Sequence, residues 1–208
     1  MKTVPRSLLL AGLSLLYVSL AAAQGSFDAY MGAGGINDGS NGLAVDTFGT
    51  GTFSNTPKLN GTTMDLGGSI FVTRQFGFGS ELAFRPSRTD YAGLQYRPLF
   101  YDFNGIWKPP LKEKRVVPEF QGGICGVNLR FYLPQGCDVF AGCTSSNTFL
   151  ESSNHFKVHA GAGVRFYVTR SIFVRPQFDF HWVHNFFQFG SNIVSQYSAV
   201  IGYSFGGH

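Results

Sequence analysis

The sequence predicts an all-β, eight-stranded antiparallel up-and-down transmembrane β-barrel with short periplasmic turns and longer extracellular loops. Eight segments of alternating apolar residues, centred near positions 30, 68, 80, 103, 121, 162, 178 and 200, carry that prediction first. The connections between them run long, short, medium, short, long, short, medium, the rhythm of a barrel crossing an outer membrane. A secretory leader precedes all eight.

Lys2 and Arg6 form a basic start, Leu8 to Ala23 is apolar but for Ser14 and Ser19, and Ala21-Ala22-Ala23 offers a small-residue cleavage site. Residues 1–23 are expected to be a cleaved signal peptide, leaving 24–208 as one barrel domain. No cysteine follows the small residues, so lipid attachment has no acceptor. Nowhere in 24–208 is there an apolar run of the roughly 18 residues that a membrane helix needs. Charged residues are 13% of the chain, against about 25% in ordinary soluble domains. Phe (22), Tyr (9) and Gly (27) are all abundant, which suits a sheet whose outer face meets lipid. The formal charge of +4 drops by two with Lys2 and Arg6, giving nucleic-acid binding no support.

The first strand, Ser26 to Gly35, is glycine-rich and its faces are poorly separated; Ala29, Met31 and Ala33 are placed outward. The second, Thr62 to Thr73, sets Met64, Leu66, Ile70 and Val72 against Thr63, Asp65, Ser69 and Phe71. After Arg74-Gln75 the third sets Phe76, Phe78, Leu82 and Phe84 against Gly77, Gly79, Glu81, Ala83 and Arg85. The fourth, Leu99 to Trp107, turns Tyr101, Phe103 and Trp107 outward and Asp102 and Asn104 inward. Pro109-Pro110 stops it. In the fifth, Val116, Phe120, Gly122 and Ile124 alternate with Val117, Glu119, Gln121 and Gly123. The sixth alternates most clearly, with Phe156, Val158, Ala160, Ala162, Val164, Phe166 and Val168 opposite Lys157, His159, Gly161, Gly163, Arg165 and Tyr167. The seventh opposes Ile172, Val174, Phe178, Phe180 and Trp182 to Phe173, Arg175, Gln177, Asp179 and His181. The eighth opposes Tyr197, Ala199, Ile201, Tyr203 and Phe205 to Ser198, Val200, Gly202 and Ser204. Period two means two environments per strand.

The larger apolar face must be the exterior, because the polar face has too few charges to solvate the outside of a soluble barrel. Phe76, Trp107, Tyr167, Trp182, Tyr197 and Phe205 are candidates for the interfacial aromatic girdles. Residues 36–61, 86–94, 132–154 and 184–194 are expected to be the longer connections, and 73–76, 108–114 and 169–171 the short periplasmic turns. Phe48, Phe53, Phe140 and Phe149 sit in the two longest loops as a candidate contact surface for an extracellular ligand.

The inward set is Asp65, Glu81, Arg85, Asp102, Glu119, Arg165, Arg175, Asp179 and His181. An eight-stranded barrel is just wide enough to be filled by its own side chains, and buried charges must pair. A lumen salt-bridge network is therefore expected, with partners on neighbouring strands. Cys137 and Cys143, six apart in a Gly/Ser/Asn-rich stretch, are expected to form a disulfide, with Cys125 free in a strand.

The strand pattern, leader, loop rhythm and aromatic-ended last strand (Ala199-Val200-Ile201-Gly202-Tyr203-Ser204-Phe205) resemble the OmpA/OmpX-like family of small outer-membrane β-barrel proteins, over essentially the whole of 24–208. Arg97-Pro98-Leu99-Phe100-Tyr101-Asp102-Phe103-Asn104 looks like a signature of one group within it. The resemblance implies residence in a Gram-negative outer membrane. It further implies contact with outer-membrane lipid and lipopolysaccharide, and insertion by periplasmic chaperones and the barrel-assembly machinery. Members usually end at the terminal aromatic; here Gly206-Gly207-His208 follow it.

The expected role is structural or surface-interaction, with the lumen plugged by a polar side-chain network and no catalytic activity; a narrow ion or small-solute channel is the alternative, and a lipid A-modifying enzyme the second alternative. No cofactor motif emerges: Gly32-Ala33-Gly34-Gly35 lacks a following Lys-Ser/Thr, and Asn37 to Gly42 lacks the closing Glu of a calcium loop. No metal site is expected, since His181 and His184 point to opposite faces of a strand and His155 and His159 lie far apart along one. An enzyme acting on lipid A would carry His and Ser two apart on one face; His-x-Ser is absent, leaving only Ser191, Ser195 and His184 near the outer strand ends.

Overall fold

In the computed structural model, the described residues are 25–39, 44–46, 49–56, 59–91, 94–111, 115–133, 137–138, 142–143, 149–185 and 191–206. The leader expected at 1–23 lies outside them, as do Phe48, Phe140, Gly207 and His208. Eight long strands build the barrel: β1 (Ser26–Asp38), β2 (Gly61–Phe71), β3 (Phe76–Phe84), β4 (Leu94–Trp107), β5 (Val116–Tyr132), β6 (Phe149–Tyr167), β7 (Ile172–Val183) and β8 (Ile193–Phe205). Each pairs antiparallel with its chain neighbours. The ladder of β1 with β8, from Phe27↔Phe205 to Asp38↔Val194, closes the ring and leaves no edge for lipid to strand. Tilted near 45°, the 13 residues of β1 rise about 30 Å, enough for the hydrocarbon layer.

Two of the tight turns share one device. Thr73 Oγ1 accepts the backbone N–H groups of Gln75 and Phe76, and Thr169 Oγ1 accepts those of Ser171 and Ile172. A threonine hydroxyl thus supplies the local acceptor that reverses the chain.

The exterior carries the apolar set. Phe78, Phe103 and Ile124 are 68%, 60% and 64% exposed, and Met31, Phe156, Ile201 and most other outward residues resemble them. Water would penalise so continuous a patch; hydrocarbon does not. Trp107 stacks on Phe120 and Phe27 lies against Phe205 near the end bearing the short turns. Tyr167 departs from the girdle expectation: it turns inward and packs on Phe173 beside Tyr30 and Val200. Its backbone N–H already bonds Arg115 at the barrel's foot, where the lumen has room for a ring.

Several strands outrun their sequence limits. β4 begins at Leu94, β5 continues to Tyr132 and β6 begins at Phe149, so 149–154, expected in a loop, are strand. The β5–β6 ladder runs from Tyr132↔Phe149 to Val116↔Phe166. The remainder of that connection carries a two-stranded ladder pairing Cys137 with Cys143.

Candidate functional site: the barrel interior

The inward side chains stack in three layers. The lowest, nearest the short turns, is ionic and aromatic. Arg165 and Arg175 are fully buried. Arg165 Nε donates to Glu119 Oε2 at 2.5 Å, and its Nη1 reaches Asp28. Arg175 Nη1 donates to Glu119 Oε1 at 2.6 Å and Nη2 to Glu81 Oε2 at 3.3 Å. Glu119 therefore bridges both guanidiniums. The Tyr30 hydroxyl also donates to Glu81, at 3.2 Å. Arg175 lies 4.2 Å over the Tyr30 ring and Arg165 4.4 Å over Phe173, so the flat cations are walled by aromatic faces.

The middle layer is polar. Lys157 Nζ pairs with Asp102 at 2.7 Å and meets His181 Nδ1 at 3.2 Å. Asp179 takes amide donors from Gln121 (2.9 Å) and Gln177 (2.6 Å), with His159 Nε2 3.8 Å away. Gln196 donates to Asp65 at 3.1 Å. Cys125, buried and free, contacts His159 Nδ1 at 2.9 Å.

The top layer is apolar: Ile36, Leu59, Ala83, Tyr96, Phe100, Val127, Leu129, Val183 and Val194 form one buried cluster. Asp38 pins Leu59 there, accepting its backbone N–H at 3.0 Å. The upper lumen is thus mainly apolar, with Asp38 the buried charge that anchors its edge.

All nine inward residues read from the sequence have partners, in different places. Glu81, Glu119, Arg165 and Arg175 meet in the lowest layer, while Asp65, Asp102, Asp179 and His181 share the middle one. Arg85 stands apart: it lies just beyond β3, its backbone bonding Pro98 and its guanidinium lying over Gly61. Neighbouring strands do not supply every partner. Arg165 on β6 reaches Asp28 on β1, and Arg175 on β7 reaches Glu81 on β3, both across the lumen. Sequence reasoning left out Asp28, Tyr30, Lys157 and His159. Lys157 and His159 stood on a face already read as inward; Asp28 lay in the strand whose faces were hardest to separate.

Asp102, Cys125 and His159 offer donor atoms within 4.8 Å of one another, a grouping of the kind that holds a metal. The Lys157 ammonium already neutralises Asp102 at 2.7 Å, so the set stands as an ion-paired cluster. The proposed Cys137–Cys143 disulfide involves side chains outside the described set, although the backbone pairs the two residues directly.

The serines and histidine considered for catalysis do not assemble. Ser195 Oγ donates to the Asn37 carbonyl and Ser191 Oγ to that of Ile193, while His184 lies against Trp182. Another pair does: Ser153 Oγ and His155 Nε2 are 2.9 Å apart, on one face of β6. The His155 ring also meets backbone of His184 and Asn185.

No protein-family model matches the chain, and no curated protein does. Among solved structures it is similar to Ail, the attachment invasion locus protein of Yersinia pestis, in complex with the heparin analogue sucrose octasulfate. The identity is 12% and the TM-score 0.53, over 87% of this chain and 99% of Ail. Neisserial surface protein A matches at 10% identity and TM-score 0.56, over 88% and 97%. A major outer membrane protein from Thermus thermophilus matches at 10% and 0.55, over 87% and 99%. The fold is that of the small OmpA/OmpX-like outer-membrane β-barrels.

Proposed function

We propose that this chain is an integral outer-membrane protein of structural or surface-interaction type, with a lumen closed by its own side chains. The observation that carries the reading is a continuous apolar exterior around three filled layers. Charges buried that deeply and paired across the lumen tie opposite walls together, which suits a rigid stake in the membrane. The projecting β5–β6 hairpin, with Phe149 54% exposed near its tip, would then present the contact surface to an external partner. Membrane fractionation followed by SDS gels with and without boiling tests this. A heat-dependent band shift in the outer-membrane fraction and no steady conductance in planar bilayers are expected. A soluble periplasmic protein with no shift would sink the reading, and stepwise conductance would replace it with a narrow channel.

A second reading, of an enzyme acting on an ester that enters the barrel mouth, rests on Ser153 and His155, half-buried on the inward face of β6 opposite Leu129 and Val127. A hydroxyl hydrogen-bonded to an imidazole held by backbone has the parts of a nucleophile and its base. Lipid A incubated with the purified barrel and with Ser153→Ala decides it: acyl release by the parent and not the variant is required.

A further inference from the structure

We infer that the outward face of β4, β5 and β6 at the upper border of the hydrocarbon band holds the phosphate of an anionic outer-leaflet lipid. The starting point is register. Arg97 of β4 and Arg130 of β5 are direct cross-strand partners. Both alternate with inward residues (Tyr96 and Pro98, Leu129), so both guanidiniums leave from the exterior. Like charges placed directly opposite destabilise a strand pair, and among the described residues neither arginine has a carboxylate within ion-pair distance. Two unneutralised guanidiniums side by side match the forked, bidentate demands of a phosphate.

The arrangement is also braced. Asn154 accepts from Asn128 at 2.8 Å, and Asn128 accepts from Arg130 Nε at 3.1 Å. That chain of bonds fixes the Arg130 stem and leaves its two Nη groups facing out. Ser152, the cross-strand neighbour of Arg130 on β6, adds a hydroxyl to the same row. Among the described residues, the outward positions at the upper ends of the other strands (Asn37, Thr62, Phe84, Trp182, Ser195) carry no charge, so the outward strand cations at this height are Arg97 and Arg130.

What lies beneath points to a lipid. Going down the same three strands, the next outward rows are Leu99, Asn128 and Asn154, then Tyr101, Gly126 and Phe156, then Phe103, Ile124 and Val158. From a row that still carries two amides, Asn128 and Asn154, to rows that are aromatic and aliphatic, the wall changes as an amphiphile does from headgroup to acyl chain. A shallow depression of about 320 Å³ opens there, walled by Tyr101, Phe103, Ile124 and Phe156, with Asn154 at its margin and Cys125 and His155 reached at its floor. The Tyr101 ring lies over Gly126, where a Cβ would stand, and forms one wall of the depression. A phosphate above and chains in the depression describe one amphiphile bound along the wall.

The test uses the detergent-purified full-length barrel, native mass spectrometry and three probes: bisphosphorylated lipid A, lipid A stripped of both phosphates, and inorganic phosphate. The parent should retain one bisphosphorylated lipid A and lose most of that affinity for the stripped lipid. R97Q/R130Q should weaken the phosphorylated lipid by roughly tenfold or more, since two charge-assisted bonds are lost, and leave the stripped lipid unchanged. Arg74→Gln, in an exposed turn at the other end, should behave as the parent. Equal binding by parent and double variant, or no preference for phosphorylated lipid, overturns the inference. Displacement of lipid by millimolar inorganic phosphate overturns it too, because the site would then serve a free anion. The inference rests on the membrane reading but fails separately: a heat-shifting barrel without phosphate selectivity sinks the lipid site alone.

Discussion

Replacing Arg175 with methionine tests whether the lowest layer holds the barrel together. The guanidinium is fully buried, 2.6 Å from Glu119 and 3.3 Å from Glu81, and covers the Tyr30 ring at 4.2 Å. Methionine fills much of the volume and removes the charge. Glu119 keeps Arg165, at 2.5 Å, but Glu81 is left with only the Tyr30 hydroxyl at 3.2 Å. Breaking a buried pair from one side costs about 3–5 kcal/mol, most of it the stranded charge. The stranded charge here is Glu81, so adding Glu81→Gln should recover roughly 2 kcal/mol, although Glu81→Gln alone should destabilise. Guanidinium unfolding in phospholipid vesicles, followed through Trp107 and Trp182, measures all four species of the cycle. A loss under about 1 kcal/mol in Arg175→Met would refute the reasoning, because burial of an uncompensated carboxylate cannot be so cheap. Strictly additive single substitutions would refute it as well, by denying that the two residues act as a pair.

Three other perturbations probe separate parts. Thiol labelling in SDS without reductant should modify Cys125 alone, with Cys137 and Cys143 becoming reactive only after reduction; three reactive thiols from the outset would remove the disulfide. Phe100→Ala, opening a hole in the apolar layer where the Lys157 ammonium lies 4.7 Å from the ring, should cost about 3–5 kcal/mol without raising planar-bilayer conductance, because two polar layers remain below. At the barrel's foot Lys108 sits 3.3 Å above the Phe71 ring, where burial and then the charge of Arg165 push its ammonium down to about 7. A folded value below the unfolded one means the fold is penalised where the lysine is charged. Stability should therefore climb as pH rises from about 7 towards 10, and Lys108→Met should flatten that climb; parallel pH profiles for parent and variant would show that the lysine is solvated.

Within the hydrocarbon the sequence could be read almost residue by residue. Met64, Leu66, Phe78, Phe103, Ile124 and Phe178 are outward and Asp65, Glu81, Asp102, Glu119 and Arg165 inward, because lipid on one side and a narrow polar lumen on the other leave no third choice. Partners were another matter. Alternation assigns a face, whereas the pairing of Arg175 with Glu81 depends on barrel curvature bringing β7 opposite β3, which no local pattern encodes. Asp28 escaped because Gly32, Gly34 and Gly35 blur the faces of β1. The Ser153–His155 pair escaped because only His-x-Ser was sought. A strand places residues i and i+2 on one face in either order, so Ser-Asn-His was equally entitled to attention.

The misplaced strand ends share one cause, and it locates the membrane. Up to the row of Tyr101, Gly126 and Phe156 the outward residues are apolar, and every charged side chain of the strands turns inward, among aromatic and aliphatic ones such as Phe71, Ile106 and Phe173. One step higher the rule inverts: Val127 and Leu129 turn inward, fully buried, while Asn128 and Arg130 face out. A pattern fitted to lipid reads such a stretch as loop, yet it is ordinary strand in a different solvent. Above the border water lies outside, so the barrel wall must behave as a soluble barrel does, with its apolar residues inside. The apolar top layer and the long β5–β6 hairpin follow from that inversion. So does the position of Arg97 and Arg130, the first outward charges above the aromatic row of Tyr101 and Phe156, at the depth where an outer-leaflet lipid carries its own charge.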